Sequence, residues 1–304
     1  MGLKRNKELG AYIALGVAII FWGFSFVATK VALRGFSTFT LIFARFGLAA
    51  VLFLILLAWR GFPRFTRKDH ARVLLTAFFE PGLYFIFETI GLQYTTAPKA
   101  ALIIATIPIM VLALAFFLLG ERTRLASLAG ISISVIGIAI LIMGGPEFIW
   151  ALGSHLFGDL LIFGAVISAS FYIILARSLG QKYSAFEITS MQTIYGALFY
   201  IPAFLWELPG LQWSAIHGAS LWALVYLTFF ATIGAFLCFN HALTKVPAPR
   251  AAVFINGIPV VTALAAWVWL GERLSVMQAG GGALILFGVL LTNLTRSQAV
   301  ERAR

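Results

Sequence analysis

From Leu9 onward the chain is a succession of long apolar runs divided by short polar breaks. A helix needs about 20 predominantly apolar residues to cross a bilayer core. Ten runs meet that length: 9–33, 38–59, 71–94, 98–119, 125–143, 158–178, 185–206, 219–243, 248–270 and 275–295. Ala100–Gly120, Leu125–Pro146, Ala251–Gly271 and Leu274–Thr295 carry no charge at all. The longest breaks, Gly144–Phe157 and Glu207–Gly218, mix glycine with aromatics and are too short to form a domain. The basic lead before the first run imitates a secretory signal, but the run from Leu9 to Thr29 is too long for one and no A-x-A site follows. It is expected to be an uncleaved first span.

The pattern repeats. APKAALIIATIP at Ala97–Pro108 returns as APRAAVFINGIP at Ala248–Pro259, and LGER at Leu119–Arg122 returns at Leu270–Arg273. Gly130 and Gly137 return as Gly281 and Gly288, and between Ala97 and Gly137 14 of 41 positions are identical at a fixed offset of 151. A fixed offset indicates a duplicated unit, with halves at 1–150 and 151–304.

Composition narrows the class. Apolar residues make up 61% of the chain and charged ones 11%, and mean hydropathy is +0.98. That much hydrocarbon makes an integral membrane protein. The net charge of +11 does not point to nucleic acid, because the basic residues sit in short clusters between apolar runs. Their distribution sets orientation instead. With the N-terminus cytoplasmic, seventeen Lys and Arg lie inside and three (Arg34, Lys99, Arg273) outside, so both termini are expected inside. Five spans per copy is an odd number, so the second copy crosses in the opposite sense. The breaks agree: Arg60–Arg72 carries five basic residues and its counterpart Glu207–Ser220 none. The predicted architecture is all-α, ten transmembrane helices in two inverted five-helix repeats, a construction recurrent in secondary transporters. Cys238 is the single cysteine, which leaves no disulfide framework and no Cys-rich metal site.

FWGFSFVATKVAL in the first span, GLQYTTAPKAALI, its partner ALTKVPAPRAAVF and the two LGE turns resemble the drug/metabolite transporter superfamily, and within it the EamA-type ten-helix exporters. The resemblance covers nearly the whole chain. It implies a multi-pass protein of the bacterial inner membrane exporting small metabolites, amino acids foremost and aromatic ones among them. It also implies a central cavity lined mainly by helices 1, 3, 4, 6, 8 and 9 of the ten. The copies differ in one respect: Trp22 and Lys30 align with Ser170 and Ser178, so two chemically unequal gates are expected.

Candidate chemistry follows from polar residues inside the spans. Pro98 and Pro249 fall at helix starts, where a missing N–H is harmless. Pro108 and Pro259 fall mid-span, where each should break a backbone bond and kink its helix, freeing the carbonyls of Ile104 and Ile255. Thr106 and Asn256 beside these kinks could bind a polar substrate group. Lys30, Arg45, Glu80 and Glu88 are charged residues within spans. An intramembrane charge costs roughly 2.5–3.5 kcal/mol on insertion scales and usually faces a cavity or a partner. Lys30, Arg45 and Glu88 share the outer half, either as a structural ion-pair cluster or in contact with substrate. Glu80, in the inner half and before Pro81, is the candidate for a protonatable coupling residue, unless it is a neutral carboxyl bonded in the core. Trp22, Ser25, Tyr84, Tyr172, Asn240 and Trp267 complete the proposed pocket. Lys30 and the kink groups would hold a carboxylate, and Glu80 or Glu88 an ammonium. Trp59, Trp150, Trp206 and Trp213 read as interfacial anchors, and the paired glycines as close-packing positions.

No H-E-x-x-H, catalytic Cys/His pair or Gly-rich loop ending in Gly-Lys occurs, so an intramembrane enzyme or an ATP-driven pump has no motif behind it, and no cofactor or metal is expected. A channel is disfavoured by the internal duplication, which suits alternating access within one chain. The same construction also serves multidrug exporters. The expected partners are a small-molecule substrate and lipid, with the chain a monomer.

Overall fold

The computed structural model describes residues 2–119, 125–144, 154–211 and 213–302, and no strand occurs among them. Gly120, Glu121 and Arg122 of the first LGER turn, Arg124, Pro146 and Trp150 lie outside the described residues. The helices are α1 (Gly2–Ala32), α2 (Thr38–Arg60), α3 (Arg67–Ala77), α4 (Tyr84–Tyr94), α5 (Ala97–Ile104), α6 (Ile107–Leu119), α7 (Leu125–Met143), α8 (Ser154–Leu179), α9 (Ala185–Glu207), α10 (Gly218–Tyr226), α11 (Ala235–Lys245), α12 (Ala248–Val253), α13 (Ile258–Leu270) and α14 (Val276–Arg302). Among the described residues, eight helical rods are long and apolar enough to cross a membrane, and Val276–Gly288 is a shorter apolar stretch.

Local sequence sets the ends. Ser184 accepts from the Glu187 amide while Glu187 reaches back to the Ser184 amide, a full capping box that starts α9. Thr66 caps α3 through Asp69, and Ser275 with Gln278 caps α14. Gly271, at φ 69°, ends α13 in the left-handed conformation that favours glycine.

Four rods are interrupted. Expected as one span, 71–94 is divided into α3 and α4 by a π-helical segment at Phe78–Leu83. Pro81 supplies no N–H, and the residue before a proline is pushed out of the helical region; Glu80 there is extended, at φ −145° and ψ 115°. The equivalent rod of the second half carries a π-helical segment at Leu227–Gly234, between α10 and α11. The span at 98–119 breaks at Ala105 and Thr106, and 248–270 turns through a 3₁₀ segment at Phe254–Gly257. Pro108 and Pro259 each stand second in the helix that resumes, α6 and α13. There the missing N–H has no intrahelical partner to lose.

The main interfaces cross from one half to the other. α1 packs on α11 and α13, and correspondingly α8 packs on α4 and α6; α2 lies along α9, and α7 along α14. The last pair approaches very closely. A Cβ on Gly137 or on Gly281 would come within 2.8 Å of the other's carbonyl oxygen, so small residues here let two backbones meet.

Candidate functional site

Glu80 and Glu88 flank the π-helical break of the third rod, one in the unwound segment and one a turn into α4. Unwinding frees backbone carbonyls, and buried carbonyls need donors. The second half provides them. Ser168 on α8 donates to the Phe79 carbonyl at 2.7 Å, Gln192 on α9 to Glu80 at 2.8 Å, and Tyr200 to Pro81 at 2.9 Å and also to Gly82. In the mirrored position Trp22 on α1 donates its indole N–H to the Ala231 carbonyl at 3.1 Å, within the other π-helical segment. Each half thus stitches the other's broken rod.

Between the stitched rods lies a narrow cavity of about 30 Å³. That is room for a couple of waters, so a larger solute enters only as the walls part. Its walls come from both halves: Trp22, Ser25, Phe26, Arg45, Glu80, Tyr84, Phe85, Glu88, Ile104 and Ile107 from the first, and Ala169, Tyr172, Ile173, Phe239, Ile255 and Ile258 from the second. Ile104 and Ile107 are the 151-residue counterparts of Ile255 and Ile258. The duplicated breaks therefore meet at one place.

Of the residues singled out from sequence, Trp22, Ser25, Glu80, Tyr84, Glu88 and Tyr172 line this cavity. The Ser25 hydroxyl donates to the Trp22 carbonyl at 2.7 Å, and the Trp22 ring packs against Phe239 and Phe236 at 5.0 and 5.4 Å. Tyr172 donates to Asn240 Oδ1 at 2.9 Å, and Asn240 Nδ2 in turn to Thr189 at 2.9 Å. Asn240 accordingly stands one bond behind the wall. Glu88 accepts from the neighbouring Thr89 hydroxyl at 3.0 Å.

Others lie elsewhere. Lys30 is not in the cavity: its Nζ is 2.6 Å from Glu272 Oε1, whose Oε2 accepts the Ala97 amide at 2.8 Å. It does not join Arg45 and Glu88 in an ion-pair cluster. Thr106 is turned on its own backbone and donates to the Ile103 carbonyl at 2.6 Å. Trp267 is half-exposed, in an outer hollow with Pro98 and Glu272, its ring under Arg273. Asn256 is adjacent to the wall residue Ile255, and its side-chain N and O atoms are buried with no partner among the described residues. Pro108 and Pro259 act by stopping and restarting helices beside the wall rather than by lining it.

Two features go beyond the pocket expected from the sequence. Arg45 brings the second rod to the wall, in addition to the helices implied by the resemblance. Lys99, expected among the solvent-facing basic residues, is buried and paired with Asp159 at 2.6 Å, and Asp159 also accepts from Thr95 at 2.9 Å. Asp159, an acidic residue in the first turns of an otherwise apolar span, was the available signal. No group of three or more His, Cys, Asp or Glu able to hold a metal ion occurs among the described residues.

The polar latches sit at the two ends of the bundle. At one end are Lys30–Glu272, Lys99–Asp159, and Glu207 accepting from Ser37 and Thr40 at the start of α2. At the other, Asp69 binds Lys182 at 3.1 Å and Tyr183 at 3.0 Å, and Arg177 donates to the Leu243 carbonyl.

Comparison with known proteins gives a consistent result. The model of the EamA-like transporter family matches twice, at residues 9–143 and 156–294. The uncharacterized transporter YetK of Bacillus subtilis is 30% identical, over 98% of this chain and 91% of its own length. A probable terminal-alkyne amino-acid exporter of Streptantibioticus cattleyicolor is 24% identical, over 95% of this chain and 93% of its own. A crystal structure 18% identical in sequence shares the fold at a TM-score of 0.69, covering 95% of this chain and 98% of that one. The chain belongs to the EamA-like transporter family of the drug/metabolite transporter superfamily, and is a multi-pass bacterial membrane transporter.

Proposed function

We propose that the chain exports amino acids, or small metabolites like them, from the cytoplasm across the inner membrane. It does so by alternating access through the cavity between two inverted halves (1–150 and 151–304), with both termini cytoplasmic. The observation that carries this reading is the composition of the cavity wall. Both halves build it, it is aromatic and aliphatic over most of its area, and it carries one cation, Arg45, with two carboxylates, Glu80 and Glu88. Mostly apolar walls with a few convergent polar groups suit a small amphipathic solute. Latches at both ends suit a carrier whose ends open in turn, and the similarity to a probable amino-acid exporter supports the substrate class.

A second reading has its own observation. Two carboxylates against one arginine give the wall an acidic surplus, which would favour a cationic drug. Proteoliposomes decide between them. Preloaded unlabelled amino acid should accelerate uptake of radiolabelled amino acid by counterflow, which a simple pore does not do. Movement of cationic drugs without amino acids would overturn the substrate class, and loss of counterflow for every solute would overturn the carrier.

A further inference from the structure

Arg45 sits in the body of α2, is 4% exposed, and lines the cavity. A guanidinium carries five N–H donors in a fixed planar fork, and a charge at this depth is costly unless something answers it. The groups in direct contact with Arg45 are neutral, and Glu88 and Glu80 act on it only from a distance. Its Nε donates to Thr232 Oγ1 at 2.5 Å, and its carbon lies 4.3 Å from the centre of the Phe85 ring and 5.3 Å from that of Phe46. Its Nη2 has no hydrogen-bond partner. Glu80 and Glu88 share the cavity with it, yet no salt bridge joins either to Arg45 among the described residues. A structural arginine would be expected to take one of them. Here two aromatic faces and a threonine hold the guanidinium in place, and donor capacity is left over.

We propose that Arg45 is the anion receptor of the cavity, binding the carboxylate of the solute, while its ammonium faces the Glu80 and Glu88 side. Lys30, engaged by Glu272, is not available for this. The consequence is a chemical filter: a zwitterion satisfies both signs of the wall, whereas an amine lacking the carboxylate leaves Arg45 unanswered. The fork of an arginine matches a planar carboxylate through two parallel bonds, so lysine should be a poor replacement. This rests on the transport reading for its purpose but not for its test.

The test is equilibrium binding to the purified full-length protein, separate from transport. Tryptophan fluorescence, to which Trp22 in the wall contributes, would be titrated with three probes: phenylalanine, 3-phenylpropanoate and phenethylamine. Wild-type protein should bind the two carboxylates, and the zwitterion more tightly than the amine. Arg45→Met should lose on the order of ten- to a hundredfold in affinity for both carboxylates, the range expected for hydrogen bonds to a charged group, with amine affinity unchanged. Arg45→Lys, which keeps charge and most of the volume, should lose an intermediate amount. Equal wild-type affinity for phenylalanine and phenethylamine would overturn the assignment without any variant, as would an unchanged carboxylate affinity in Arg45→Met. If the discrimination appears but counterflow does not, the export reading falls and the receptor stands.

Discussion

At the scale of single residues, Glu80 has the most to do. Its backbone leaves the helix, its carbonyl is taken by Gln192, and its side chain lines the cavity without a hydrogen bond from the described residues. A carboxyl so placed can exchange a proton with whatever water the cavity admits. If transport is coupled to protons, counterflow across a pH series should change with pH in the wild type and be flat in Glu80→Gln; an unchanged profile in that variant removes Glu80 from coupling. The sequence made Glu80 and Glu88 visible because a charge inside an apolar run is conspicuous. It did not distinguish Lys30, which reaches out to Glu272 242 positions away, from Arg45, which stays inside. Thr106 and Trp267 were indistinct for another reason. In helices apolar on every side no stripe marks the inward face, so a polar or aromatic residue has no readable direction.

At the scale of elements, apolar length and capping residues made the rods legible, and proline made two of the breaks legible. Pro81 carried the same warning within 71–94, where the third rod divides. The matching π-helical segment, LTFFATIG at Leu227–Gly234, contains no proline at all. Its geometry is imposed by neighbours such as Trp22 and Arg45, which bind Ala231 and Thr232, and no local propensity encodes that. The break in the third rod also depends on a close approach. A Cβ on Gly196 of α9 would lie 2.1 Å from Pro81 Cγ, so α9 must carry glycine there for the rods to touch. Gly196→Ala should force them apart and cost about 1–3 kcal/mol, as overpacking does. Thermal unfolding in detergent reads this as a lowered midpoint; an unchanged midpoint would show that the contact relaxes freely.

At the scale of the whole molecule, the latches divide the work between two ends. Lys30–Glu272 ties the end of α1 to the turn after α13 and, through the Ala97 amide, to the start of α5. The two side chains are only 21% and 18% exposed, so removing the charge of one leaves the other a largely buried cation without its partner, which is costly. Glu272→Gln should therefore bias that end open. In a Cys238→Ala background, a cysteine at Ser25 should react faster with a membrane-impermeant maleimide when Glu272→Gln is added, and an equal rate would exclude the pair as a latch. The exchange of packing partners between halves follows the 151-residue repeat visible in the sequence. The asymmetry of the latches was legible only in outline, as Lys30 aligned with Ser178, because the partner Glu272 belongs to a different turn.

The side-chain donors to the carbonyls of Phe79 to Gly82 are Ser168, Gln192 and Tyr200, all from beyond residue 150, while the Tyr84 amide of the same half also reaches those of Phe79 and Pro81. A first half synthesised alone would lose all three side-chain donors at this unwound segment, and any buried polar group left without a partner in hydrocarbon costs several kcal/mol. The second half would likewise miss the indole that Trp22 gives to Ala231. Cutting the gene after codon 150 should thus yield two fragments that are each degraded when expressed singly and that rescue one another when co-expressed. Accumulation of either fragment by itself, inserted and resistant to proteolysis, would mean that the ancestral unit still folds unaided. On the geometry described here, duplication has become mutual dependence.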